Sequence, residues 1–207
     1  MIISHKHKFI FIAIPKTGTH AVRFALREHM GNEDEEQVGL FVQKKIKDER
    51  IAEIGHGHIS CLQAKEVVGE EIWNSYFKFA FVRNPWDRYI SFCAFMHRKN
   101  PKFQKTPELF LRRMIEKPEI QQRILFRPQV EFICDEQNKL LLDYVGRYEN
   151  FQESYNHICE KIGISTQELE QLNTSKHLHY KEYYNEELVK KVADFYQSDI
   201  AVLGYDF

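Results

Sequence analysis

The stretch FIFIAIPKTGTHAVRFAL, residues 9–26, decides the fold. Six apolar residues, Phe9 to Ile14, stop at Pro15 and Lys16; Ala21, Val22, Ala25 and Leu26 then recur at helical spacing. This pattern predicts a buried strand over residues 8–14, a short loop, and a helix that Gly31 is placed to end. A strand, a tight loop and a helix N-terminus together form an anion cradle. Unpaired backbone N–H groups and the positive end of the helix dipole point into it. Gly18 allows close backbone approach, Thr17 and Thr19 add hydroxyls, and Lys16 adds a charge. The bland reading is a strand–turn–helix junction with a solvated lysine. The loop is not Walker A, in which lysine follows two glycines; here Lys16 precedes Gly18.

Outward from this stretch, the pattern repeats. YFKFAFV (76–82) reads as a second buried strand, rich in aromatics, and KLLLDYVGRYE (139–149) as a third. IAEIGHGHIS suggests a short strand and loop, and LQAKEVVG a short helix stopped at Gly69. Asn84 is placed as an N-cap with Pro85 in the first turn and Asp87 third in the helix; Thr106-Pro107 opens another helix. Asn150 to Glu153 and Ser165 to Glu168 have capping-box spacing. A last helix starts near Asn185 and ends before IAVLGYDF, and the charged residues 32–50 read as a surface excursion. Strands alternating with helices predict an α/β protein, a P-loop-like three-layer fold with a central, mainly parallel sheet flanked by helices. One domain is expected over residues 1–207, with its ligand at the carboxyl ends of the strands.

Composition sets outer limits. The chain has 207 residues, 43% hydrophobic and 29% charged, with a formal net charge of -1. A basic site must therefore be local, and no nucleic-acid partner is expected. No segment approaches the ~20 apolar residues of a membrane span. The chain begins almost at its first core strand, so a cytoplasmic protein is expected. Cys61, Cys93, Cys134 and Cys159 are widely spaced, which suits reduced, partly buried thiols better than a disulfide framework.

A second anion-binding pattern follows the second strand. In FVRNPWDRYISF, Arg83 and Ser91 flank the start of a helix, and an arginine there can clamp a phosphate through two parallel hydrogen bonds. Read singly, Arg83 is equally a surface ion pair and Ser91 a buried helix hydroxyl. Two such patterns on neighbouring strands point to a ligand with two separated phosphate-like groups.

IPKTGTHAVR resembles the 5′-phosphosulfate loop of the sulfotransferases, and FVRNPWDRYISF resembles their 3′-phosphate motif. GHGHIS (55–60), YENFQESYNHICEKIGI (148–164) and the tail from His179 extend the likeness, nearest to the carbohydrate, heparan-sulfate 2-O-like branch. The resemblance implies the donor 3′-phosphoadenosine-5′-phosphosulfate (PAPS). It assigns Lys16, Thr17, Gly18 and Thr19 to the 5′-phosphosulfate and Arg83 and Ser91 to the 3′-phosphate. His20 stands where the family usually has Ser or Thr; it is a candidate contact, or it packs outward. The resemblance also places Ser175, Lys176 and Tyr180 in a loop folding over the nucleotide, against the alternative of a mobile polar loop. Trp86 reads as core packing rather than an adenine platform.

Sulfuryl transfer is an in-line displacement driven by positioning and charge stabilisation. Lys16 suits the charge on the leaving oxygen, and the acceptor hydroxyl needs a base, for which histidine is the natural candidate. By the resemblance His58 is the base and His56 assists or contacts the acceptor. The competing readings are a buried structural pair or zinc held with Cys61; no metal is expected. Residues 97–127 carry nine Lys or Arg against three acids, which suits an anionic glycan or a solvated helix pair equally. The acceptor expected is a hydroxylated molecule, a carbohydrate or glycoconjugate. The alternatives are a P-loop kinase-like enzyme, disfavoured because Val82-Arg83-Asn84 offers no Mg²⁺-holding Asp, and a non-catalytic nucleotide- or glycan-binding protein.

Overall fold

The computed structural model describes residues 1–37, 46–169 and 179–207. In chain order the elements are β1 (Ile2–Ser4), β2 (Phe9–Ile12), α1 (Thr19–Arg27), β3 (Glu35–Glu36), α2 (Glu49–Ala52), α3 (Cys61–Ser75) and β4 (Phe77–Val82). There follow α4 (Pro85–Met96), α5 (Pro101–Lys105), α6 (Pro107–Ile115), α7 (Pro118–Gln121), α8 (Val130–Ile133), β5 (Tyr144–Arg147), α9 (Phe151–Ile162), α10 (Glu186–Phe195) and α11 (Gln197–Leu203). The described residues divide into two compact units, one drawn from Met1–Val82 and Gln129–Leu172, the other from Arg83–Pro128 and Asn173–Phe207.

The first unit contains the sheet, in the order β3-β1-β2-β4-β5. β2, β4 and β5 run parallel, and β1 and β3 extend the sheet antiparallel. Alternation along the strands sends Phe9, Phe11, Phe79 and Phe81 to one face, where Val22, Ala25 and Leu26 of α1 and Tyr155, Ile158 and Ile162 of α9 cover them. Lys78 points to the other face and donates to the carbonyl of Trp73 in α3 at 3.0 Å. Helices thus flank both faces, as the alternation of elements requires.

Several local expectations are corrected. Residues 32–50 are not wholly a surface excursion, because Asp34, Glu36 and Gln37 are buried and Glu35–Glu36 forms the edge strand. Asp34 accepts from Ser4 Oγ at 2.6 Å and from the N–H groups of His5 and Gly31, both at 2.8 Å, joining the β1–β2 turn to the segment after α1. No strand forms in 51–60. Gly69 (φ 78°) breaks α3 with a kink, but helix resumes to Ser75. The Asn150 side chain makes no capping bond, since a 3₁₀ turn, Tyr148–Asn150, leads into α9 instead. Residues 165–169 are not helical, and the continuation of that proposed box lies outside the described residues. The IAVL of the tail continues as α11, which Gly204 ends at φ 63°.

The second unit is helical. Trp86, Tyr89, Phe92 and Cys93 of α4 pack with Leu111 and Met114 of α6, Phe126, and Leu188, Val192 and Tyr196 of α10. Arg88, 1% exposed, donates to the Arg127 carbonyl at 2.7 Å and lies over the Tyr196 ring. The buried Asp199 carboxylate lies 4.0 Å from its Nη1, so a carboxylate, a carbonyl and a ring surround the buried charge.

Candidate active site

The anion loop is held by its own backbone. β2 leads through buried Ala13, Ile14 and Pro15 into Lys16, at φ 67°, and then Gly18, at φ 80°, the N-cap of α1. Residues of opposite backbone hand in alternation turn successive N–H groups toward one concave side, the form of an anion nest. Among the described residues no acceptor reaches the N–H of Thr17 or Gly18. The Thr17 hydroxyl donates to the Ile14 carbonyl at 3.0 Å and its side chain is fully buried, so it ties the loop closed. A side chain at Gly18 would meet two obstacles. Its left-handed backbone disfavours any Cβ, and a Cβ there would lie 2.5 Å from Phe151 Cζ and 3.1 Å from Tyr148 Cε2. Tyr148 and Phe151, from the segment after β5, therefore form the wall against which the loop is pressed.

Lys16 is half-buried and Thr19 buried. His20 stands on the first turn of α1 with part of its ring in solvent. Lost solvation, then the charges of Arg23, Lys16 and Arg27, lower its pKa, so it is neutral at pH 7.

The same unit carries the paired histidines. His58 Nδ1 lies 2.7 Å from the carbonyl of Ala13, the residue after the last of β2. A carbonyl only accepts, so Nδ1 holds the proton and Nε2 presents its lone pair. Burial pushes the His58 pKa down to about 3. His56 Nδ1 accepts from the His58 N–H at 3.3 Å, and the two rings are 6.1 Å apart. Of the flanking glycines, Gly57 needs its missing side chain: a Cβ would sit 2.2 Å from the Gln37 carbonyl oxygen. Gly55 has open space around it.

In the second unit, Arg83 follows the last residue of β4 in the chain. Its Nε and Nη2 grip the Asp87 carboxylate at 2.7 and 2.8 Å. Asp87 is one turn before half-buried Ser91, so the pair draws the guanidinium along the α4 face that carries Ser91. Asn84 caps α4 by accepting from the Trp86 N–H at 3.0 Å, and its Nδ2 donates to the Asp206 carbonyl at 2.8 Å. Trp86 is 4% exposed with Nε1 on the Val189 carbonyl, which is core packing. Tyr180 rests against Phe207 and Tyr184. Ser175 and Lys176 lie outside the described residues. Among the described residues, no group of three or more His, Cys, Asp or Glu is placed to hold a metal. The four cysteines are free and buried.

Sequence reasoning missed the anchors. Ala13 serves through its carbonyl, which no side chain announces, and Asp87 had been read as a helix-start residue only. The resemblance at 148–164 did mark the segment holding Tyr148 and Phe151.

The sulfotransferase family model matches residues 1–206. A crystal structure of a sulfotransferase from Alicyclobacillus acidocaldarius aligns over 97% of this chain and 96% of its own, at 17% identity and a TM-score of 0.48. An uncharacterized protein of Archaeoglobus fulgidus is 26% identical over 114 residues, 55% of this chain and 90% of that one.

Proposed function

The chain belongs to the sulfotransferase family, and from that premise we propose that it transfers the sulfuryl group of PAPS to a hydroxyl of a carbohydrate or glycoconjugate, residues 1–207 acting as one domain. The observation that carries this reading is the 2.7 Å bond from His58 Nδ1 to the Ala13 carbonyl. It anchors a neutral imidazole to the strand end from which the anion loop grows.

The anion loop fits the phosphosulfate by its chemistry: N–H groups with no acceptor among the described residues, a glycine at which any side chain would be strained, and a half-buried lysine. Lys16, Thr17, Gly18 and Thr19 would hold that end, Thr17 through its N–H, with His20 at the rim. Arg83 and Ser91 are assigned the 3′-phosphate by motif, with Ser175, Lys176 and Tyr180 beside the nucleotide. When bound, the donor supplies an activated sulfuryl group. His58 Nε2 takes the acceptor hydroxyl proton as the new oxygen–sulfur bond forms and the bond to the 5′-phosphate oxygen breaks. Lys16 offsets the charge left on that oxygen. His56 contacts the acceptor or supports His58. A base held near pKa 3 is always unprotonated at neutral pH but disfavours its charged form. An anion in the loop raises that pKa toward the useful range.

No described helix is long and apolar enough to cross a membrane. Four buried free thiols suit a reducing compartment, and we assign the enzyme to the cytoplasm.

Thermal shift separates this reading from a kinase. Adenosine 3′,5′-bisphosphate at ~100 times its dissociation constant adds about 2.7 kcal/mol, a rise of roughly 5–11 °C for a chain of this size. ATP with Mg²⁺ should give no such rise; a rise with ATP–Mg²⁺ alone overturns the proposal. Transfer of labelled sulfate to a panel of sugars then separates an enzyme from a binding protein.

A further inference from the structure

Arg23 lies on α1, one turn beyond the anion loop, and is 4% exposed. A guanidinium so deeply buried must be satisfied by partners. Its Nη2 donates to two carbonyls, Gly57 at 3.0 Å and Gln37 at 3.1 Å. Its Nε lies 3.8 Å from Glu36 Oε1, and Glu36, 1% exposed, is itself gripped by Arg27 at 2.8 and 3.0 Å. Burial brings the Arg23 pKa down to about 10, so it keeps its charge at pH 7. The Gly57 carbonyl accepts a second bond from the Met1 nitrogen at 2.6 Å. A Cβ at Gly57 would come within 2.5 Å of Arg23 Nη2, so glycine at 57 and arginine at 23 fit one another.

Gly57 is the peptide between His56 and His58. The His58 ring is thus held at both ends: by the Ala13 carbonyl at Nδ1, and through its own backbone by a side chain of the helix that the anion loop opens. We propose that Arg23 is a positioning residue for sulfuryl transfer, locking the Gly57 carbonyl so that the His58 ring keeps its Nδ1 bond to Ala13 and presents Nε2 beside the anion loop. This rests on the reading of His58 as base. Lysine at this position retains a charge but carries a single nitrogen, which cannot both serve the two carbonyls as Nη2 does and present a second N–H group to Glu36 as Nε does.

The test pairs turnover with the state of the His58 ring, read from nitrogen chemical shifts in ¹⁵N-histidine-labelled protein. The parent should show His58 as the Nδ1–H tautomer, with no titration above about pH 4. Arg23→Gln should lower kcat about 10²-fold, the scale of a small misplacement of a reacting group, and leave bisphosphate affinity within about twofold. Its His58 signals should shift to mixed tautomers or titrate nearer the ordinary histidine range. Arg23→Lys, which keeps the buried charge, should recover part of the loss; Gly57→Ala should reproduce it with Arg23 intact. If Arg23→Gln does not fold, the lysine and Gly57→Ala variants carry the same test. Unchanged kcat or an unchanged His58 ring in the folded variants overturns the proposal. A fully active His58→Ala enzyme instead removes the base assignment, while the ring signals still report whether Arg23 orders the loop.

Discussion

The two units hold their functional groups by different means. In the first, the side chains bond to backbone: His58 to the Ala13 carbonyl, Thr17 to the Ile14 carbonyl, Arg23 to the Gly57 carbonyl. In the second, charge answers charge: Arg83 to Asp87, and Arg112 to Glu187 at 2.9 Å, with Lys191 bonded to both Glu116 and Glu187. Backbone partners are fixed by the fold and insensitive to salt. The Arg112–Glu187 pair is exposed, so it is screened and costs side-chain entropy, whereas Arg83–Asp87 is largely buried. Chemistry that needs a sub-ångström position belongs in the first kind of setting, and substitutions should cost most there.

The largest effect is expected at His58. His58→Ala should lower turnover by roughly 10²- to 10⁴-fold and leave affinity for the bisphosphate product unchanged, read by calorimetry beside steady-state rates. Turnover at the parent level would place the base elsewhere and break the contrast at its centre. Next is Gly18→Ala. A non-glycine residue in the left-handed region costs of order 1–3 kcal/mol, and the 2.5 Å approach to Phe151 adds to that. Urea unfolding should show a loss of at least about 2 kcal/mol, with weaker bisphosphate binding. Phe151→Leu in the same chain should relieve the clash and leave the backbone term. A neutral Gly18→Ala would mean that the loop is not held by its backbone.

The pH response tests the same unit without a change in its geometry. His58 is held near pKa 3 in the fold, while an unfolded histidine titrates near 6.5. Below 6.5 the unfolded chain takes up a proton that the folded site refuses, so stability falls as pH drops from 6.5 toward 3. The slope is about 1.4 kcal/mol per pH unit for one group, which amounts to roughly 2 kcal/mol lost by pH 5. His20, His29 and His97 are also lowered and act in the same direction. The His58 share is therefore the difference between the parent and His58→Gln. Identical slopes in the two would show that the His58 ring is not desolvated.

How much was legible follows the same division. The β2–loop–α1 unit showed because an unbroken apolar run, a glycine and a helical spacing all agree. The start of α4 showed because Asn84 and Pro85 are placed as cap and first turn. β1 is three residues long, too short for any period to register. β3 consists of two glutamates, which read as solvated loop; it is in the sheet because Arg27 neutralises Glu36. Nothing in the sequence singled out Arg23, which lies among the apolar positions 21, 22, 25 and 26. Only the fold brings the Gly57 carbonyl, 34 residues away, to its guanidinium. Side-chain chemistry is written in the sequence, whereas the backbone acceptors that orient it are common to every residue and become visible only in three dimensions.

The smallest effect is expected in the basic segment 97–127. A count within that window sees three acids, but the partner of Arg112 at 2.9 Å is Glu187, on α10, far along the chain. Glu187 thus answers part of the local positive charge, and Lys191, itself a cation, shares Glu116 and Glu187 with Arg112. Arg112 is 59% exposed and Glu187 49%; such pairs contribute about 0–1 kcal/mol. Arg112→Ala should change stability by less than about 1 kcal/mol at low salt and less still at 0.5 M, measured by urea unfolding at both. A loss above about 2 kcal/mol that persists in high salt would mean that this cluster acts as a buried network. The second unit would then hold its groups as rigidly as the first, and the contrast would have to be drawn by partner type alone rather than by cost.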